Sequence, residues 1–131
     1  MYRIYYAGRK DMPETNEANT RRTEHGHKMC DLRMGIDFFK EHCGWSFPTE
    51  TDIATREVNL VDFGYTHVGT TTLTDLERIF VVFQGEYMDV ELVRDMLDAG
   101  ATHTSMSVGD VLVEVGTGRV LFCDRFGFVE V

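Results

Sequence analysis

Five side chains able to bind transition metals, His25, His27, Cys30, His42 and Cys43, fall within 19 residues. Imidazole and thiolate are ligands that zinc favours, usually as a tetrahedral set of four. The spacing argues against one shared ion. Met29, Leu32, Ile36, Phe39 and Cys43 recur at steps of 3, 4, 3 and 4, the signature of a helical stripe. A helix over Lys28–Cys43 would hold Cys30 and Cys43 about 20 Å apart at ~1.5 Å per residue. Only a break at Gly35 would let the ends meet. No metal and no other cofactor is expected.

The second candidate is His103, Ser105 and Ser107, with Asp110 nearby. Nucleophilic catalysis needs a hydroxyl or thiol within reach of a base that a third group orients. In extended chain the three alternate residues stand on one face in steps of about 6.6 Å, a row and not a triad. Hydroxyls ahead of Gly109-Asp110 are expected to bond to backbone, with Asp110 capping the turn that feeds Val111–Val113 into a sheet. Cys30, Cys43 and Cys123 are odd in number and irregularly spaced, as in reduced cytoplasmic proteins, and each reads as a small buried side chain. A small enzyme or ligand-binding domain using His103, Ser105, Cys123 and Asp124 stays open as an alternative; the preferred reading is that the chain is not an enzyme.

The third candidate is acidic. The chain has a formal net charge of −9. Residues 1–57 carry 9 Lys/Arg against 10 Asp/Glu, and residues 58–131 carry 4 against 12. Direct nucleic-acid binding through the second half is disfavoured, because phosphates need clustered cations. Asp75, Glu77, Glu86, Asp89, Glu91, Asp95 and Asp98 face only Arg78 and Arg94 over the same span. Glu91, Asp95 and Asp98 follow i, i+4, i+7 spacing and share one helix face, about 4.5 to 6 Å apart along the axis. That interval is comparable with the charge spacing along a nucleic-acid strand. These seven acids are the expected contact surface for the basic face of a host or phage protein.

The elements that must position these groups form a single domain over residues 1–131, large enough to bury a core without disulfides. The start lacks the pattern of a secretory signal, and the longest apolar runs, such as Ile79–Phe83, are too short to span a membrane. Tyr2–Ala7 reads as a first strand stopped by Gly8. Residues 9–27 read as a long exposed loop. The Lys28–Cys43 stripe predicts a helix, with Gly35 its weak point and Gly44 its stop. Glu57–Thr66 predicts a strand from its alternation, and Val68–Leu73 a further extended piece. Thr74-Asp75-Leu76-Glu77 is a capping box, with Thr74 as cap, opening a helix to about Gln84 that buries Leu76, Ile79, Phe80 and Phe83. Asp89 caps another through Ala99, stopped by Gly100 and burying Val90, Val93, Met96 and Leu97. Val111–Val115 and Arg119–Cys123 form a hairpin across Gly116-Thr117-Gly118, and Phe128–Val131 a last strand. The expected fold is α+β, a small mostly antiparallel sheet packed with about three helices.

His103-Thr104-Ser105-Met106-Ser107-Val108-Gly109-Asp110-Val111, followed by Phe122-Cys123-Asp124-Arg125-Phe126-Gly127-Phe128, resembles the ending of the YodL-like domain family. The match covers residues 103–131 as a C-terminal β module. The resemblance implies a protein of phages or other mobile elements, in the cytoplasm of a bacterial or archaeal host, and carries no catalytic residue with it. Together with the charge it points to an accessory protein acting by protein–protein binding. In its sharper form this is an inhibitor of a nucleic-acid-binding defence complex, anti-CRISPR or anti-restriction, through a DNA-mimicking acidic face.

Overall fold

The computed structural model describes residues 1–8, 35–37, 57, 60–61, 64–84 and 88–131. Five strands, β1 (Tyr2–Ala7), β2 (Tyr65–Thr71), β3 (Val111–Glu114), β4 (Val120–Asp124) and β5 (Gly127–Glu130), form one antiparallel sheet in the order β2-β1-β3-β4-β5. Two helices, α1 (Leu76–Val82) and α2 (Val90–Asp98), lie between β2 and β3 in the chain. The α+β class is thus present, with two helices rather than about three defined among the described residues.

The first strand is the second of five in the sheet and is apolar on both sides, because both faces of the sheet are covered. Tyr2, Ile4 and Tyr6 join Leu112, Leu121 and Cys123 against Ile79 and Phe83 of the α1 region, Met96 of α2, and Ala101 and Met106 of the following loop. Tyr5 and Ala7 join Val111, Val113, Val120 and Phe122 on the other face, against Ile36, Leu60 and Tyr65. Ile4 faces Gly69 and Tyr5 faces His67, so Val68 is the extra residue of a bulge in β2.

Several sequence expectations change. Glu57, Leu60 and Val61 are helical, not extended. They repeat at i, i+3, i+4, and the amide of Gly64 donates to Leu60 and Val61 carbonyls to end the turn. The predicted alternation was as good for a helix because both patterns fit so short an apolar run. Ile36 and Asp37 are helical, but Gly35 has φ +105. That conformation does not occur inside a right-handed helix, so Lys28–Cys43 is not one continuous helix. The rest of that stripe, the ligand candidates His25, His27, Cys30, His42 and Cys43, and the 9–27 segment lie outside the described residues.

The capping box moves by one residue. Asp75, not Thr74, is the cap of α1, its carboxylate accepting the Arg78 amide at 3.2 Å. Of the predicted apolar set Ile79 and Phe83 are buried and Leu76 is half-buried, but Phe80 is exposed. Asp89 caps α2 as expected, accepting the Leu92 amide at 2.7 Å. The Gly100 amide donates to Leu97 and the Ala101 amide to Met96, a Schellman stop with Gly100 at φ +100. Of its predicted stripe, Met96 alone is buried and Val93 is half-buried, while Val90 is 72% exposed and Leu97 is exposed too. The helix turns its Leu92–Val93–Met96 side to the sheet, which leaves Val90 and Leu97 on the flank. The C-terminal hairpin and last strand are as predicted within a residue or two.

Candidate functional site

Two regions gather chemistry-bearing side chains, and they are built differently. The first is centred on Asp110, at the entry to β3 and 1% exposed. Its Oδ1 accepts the Ala7 amide at the end of β1 at 2.8 Å. Its Oδ2 accepts the Ser107 amide at 2.8 Å, with Ser107 Oγ at 3.5 Å. His103 Nε2 lies 3.1 Å from Oδ1 and 3.0 Å from Oδ2. The Asp110 amide donates to the Ser107 carbonyl at 3.1 Å, closing the turn, and its carbonyl accepts from the Cys123 amide of β4 at 2.8 Å. The expected turn cap is therefore real, through Ser107. The expected row of His103, Ser105 and Ser107 is not, because residues 101–110 form an irregular loop that folds His103 back onto Asp110. A spacing of seven residues carries no periodic signal for such a pair.

The imidazole is held on three sides. Its ring stacks on Tyr6, with centroids 4.7 Å apart and planes 9° from parallel, and the Tyr6 hydroxyl donates to the Thr104 carbonyl at 3.1 Å. Nδ1 lies 3.4 Å from Thr102 Oγ1. A neutral imidazole that donates to a carboxylate through Nε2 presents an acceptor at Nδ1, and a protonated one donates from both nitrogens. Thr102 Oγ1 lies so close to Gly8 that a Cβ there would approach it to 2.6 Å. Gly8 also has φ +103, so glycine is required twice over. Beneath the loop the buried Tyr65 hydroxyl donates to the Gly109 carbonyl at 2.7 Å.

Burial raises the Asp110 carboxyl above its ordinary range, opposed by the His103 hydrogen bond and charge and by the Ala7 and Ser107 amides. Burial, helped by Asp110 and Asp124, pushes the Cys123 thiol up to about 12. A thiol that titrates there is almost wholly protonated at neutral pH, and the protonated form is a poor nucleophile. The carboxylate–imidazole–hydroxyl chain of Asp110, His103 and Thr102 has the order of a catalytic relay. Its terminal contact is long, and its carboxylate is committed to main-chain amides of two separate segments. The arrangement ties the 101–110 loop to the end of β1. Ser105 is half-buried in the same loop, and Asp124 is half-buried at the end of β4.

The second region is the outer surface of the helices. Asp75, Glu77, Asp89, Glu91, Asp95 and Asp98 are all exposed, while Glu86 lies outside the described residues. Asp75 and Asp89 spend an oxygen each on capping. Glu91, Asp95 and Asp98 occupy the side of α2 away from buried Met96, and form no ion pair among the described residues. Arg119, one of the few cations of this half, is engaged elsewhere: it meets Glu114 at 2.9 Å and Glu130 at 3.8 Å beside the C-terminal hairpin. Tyr2 and Thr117 complete that cluster, donating to Glu114 at 3.1 and 2.6 Å.

Among the described residues no group of three or more His, Cys, Asp or Glu side chains could hold a metal ion, and no helix is long and apolar enough to cross a membrane. Compared with known proteins, the chain matches no family model, no curated protein and no solved structure.

Proposed function

We propose that this chain is an accessory protein that acts by binding a basic protein surface through the acidic face of its helices. The observation that carries the reading is the set Glu91, Asp95 and Asp98, exposed on one face of α2 and without an ion pair among the described residues. Three carboxylates with a single arginine, Arg94, on the same face keep a net negative charge that gains from a partner bringing cations to it and that speeds encounter with that partner. Exposed Val90 and Leu97 flank the row and add apolar area to the same surface.

In its finer form the partner is a nucleic-acid-binding complex of host defence, of the CRISPR or restriction kind, and the acids stand in for phosphates. This form leans on the resemblance of residues 103–131 to the YodL-like ending, which implies a phage or mobile-element protein acting in the cytoplasm of a host cell. The test is a pull-down from infected and uninfected host lysate, at low and high salt, with the native chain and a Glu91→Lys, Asp95→Lys, Asp98→Lys variant. Partners that depend on the acidic face are lost on raising salt and are absent with the variant. A partner set that survives both changes would refute the reading.

A further inference from the structure

The 101–110 loop packs over the β1 side of the helix-side face of the sheet; toward the β5 edge, by the β4–β5 turn, the cover is incomplete. Cys123 and Phe128 are cross-strand neighbours on that face and join the core cluster beneath α1. With the outer side of α1 they line a groove of about 540 Å³. This is within the range of ~300–1,000 Å³ typical of ligand-binding sites. From α1 come Leu76, Glu77, Phe80 and Val81; from the turn comes Phe126. Arg78 is turned out of this arc, since positions 76, 77, 80 and 81 share one side of a helix and position 78 does not.

Two features say what fills the groove. First, its apolar wall is open: Phe80 and Val81 are exposed, and Phe126, at the tip of a tight turn closed by Gly127 at φ +119, is fully exposed. An aromatic ring held in water by a rigid turn does nothing for the folded core and has the character of an interface anchor. Secondly, the charge is negative. Glu77 stands in the wall, and the adjoining helices carry the acidic excess already described. Asp124 and Arg125 line the end of the groove, but both reach toward Gly35, where a Cβ would lie 2.9 Å from Asp124 Oδ1 and 3.9 Å from Arg125 Nε. Aromatic faces beside a carboxylate favour a cation with an apolar stem, through ring quadrupole and charge together. A second copy of this chain brings a net charge of −9 to the same place and is repelled.

We infer that the groove between α1 and the β4–β5 turn is the anchor pocket for an arginine- or lysine-bearing, otherwise apolar segment of a basic protein partner. The inference rests on the proposed binding function and gives it a second, separately testable contact point. The acids of α2 supply attraction at a distance; the groove supplies the short-range contact that fixes register.

A library of random peptides displayed on phage, panned on the full chain, tests it. The enriched peptides carry Arg or Lys beside apolar residues. Resynthesised with citrulline in place of arginine, which keeps the shape and removes the charge, or with norleucine in place of lysine, they bind about tenfold weaker or worse by fluorescence polarisation. Phe126→Ala weakens the parent peptide by about tenfold or more, and Glu77→Gln weakens it less. Both residues are exposed, and an unchanged melting temperature shows that each variant is folded. Peptides without a cation, peptides insensitive to Phe126→Ala, no enrichment over the blank, or a native dimer that Phe126→Ala dissolves would each overturn the assignment. The two contact points fail separately. If only the triple α2 variant loses the lysate partners, the groove is wrong and the acidic face stands. If peptides seat in the groove but the triple variant keeps every partner, the reverse holds.

Discussion

Asp110 and Asp95 are carboxylates of the same acidic half of the chain. Asp110 is 1% exposed, accepts two main-chain amides and lies 3.0 Å from an imidazole nitrogen. Asp95 stands exposed on α2 and has no ion pair among the described residues. A buried carboxylate survives only where donors replace the water it has lost. An exposed one keeps its water and so keeps its capacity to meet a partner. The difference separates the motif that is most distinctive in sequence from the surface best placed to work: residues 103–110 spend their polar groups inside the molecule, and the helices spend theirs outside.

The largest expected effect lies at the buried end. In Asp110→Asn one oxygen becomes an NH2 group, yet both positions must accept, one from Ala7 and one from Ser107. Either orientation sets donor against donor, so the near-isosteric variant loses about 3 kcal/mol or more in urea unfolding at neutral pH. A loss below about 1 kcal/mol would mean that the loop is held by something else. Next comes alkaline pH. Burial raises the hydroxyls of Tyr5, Tyr6 and Tyr65 and brings the Cys123 thiol to about 12. Groups raised in the folded state contribute stability that is complete below their ordinary values and is lost as pH climbs through the folded ones. The urea midpoint should therefore fall steadily from about pH 9 toward 12, and a flat profile would contradict the burial of these groups.

A smaller and more local effect follows from His103→Ala. The imidazole lowers the Asp110 carboxyl against the dominant effect of burial. Its removal should move the carboxyl titration, followed by carbon NMR, to higher pH than in the native chain. By the same sign rule, the stability tied to protonated Asp110 would then persist to higher pH before it is lost. A downward move would assign the imidazole a different role. The smallest effect on stability belongs to the other region. Reversing Glu91, Asp95 and Asp98 to Lys should leave the urea midpoint almost unchanged, because none of the three is buried. A large loss there would erase the contrast between the two regions.

Local chemistry in the sequence was enough to locate the first strand and the regular elements of the second half. Asp89 and Gly100 bound α2, Gly116-Thr117-Gly118 turns the hairpin, and Tyr2–Ala7 is a strand, because capping, positive φ and β-propensity act over a few residues. The same reasoning exposed Glu91, Asp95 and Asp98 correctly, since i, i+4, i+7 spacing defines a helix face whatever the rest of the fold does. It was weaker wherever two periods competed or one residue of phase mattered. Glu57 and Leu60 fit a strand and a helix equally, and Asp75 displaced Thr74 as a cap. Phe80 shares its helix face with buried Ile79 and Phe83 but stands exposed in the wall of the groove, which packing decides and periodicity does not.

Contacts made across the sheet had no local signature at all. Ala7 and Asp110 are far apart in sequence and meet only because β1 pairs antiparallel with β3. His103 reaches the same carboxylate because the loop doubles back over Tyr6. The groove beside Phe126 exists because the fold brings the β4–β5 turn alongside α1. From its own residues the chain determined where charge accumulates and which stretches form strands and helices. Only the tertiary structure decided which carboxylate is consumed by the fold and which stay available, because desolvation and its compensation depend on what distant segments bring to the same point in space.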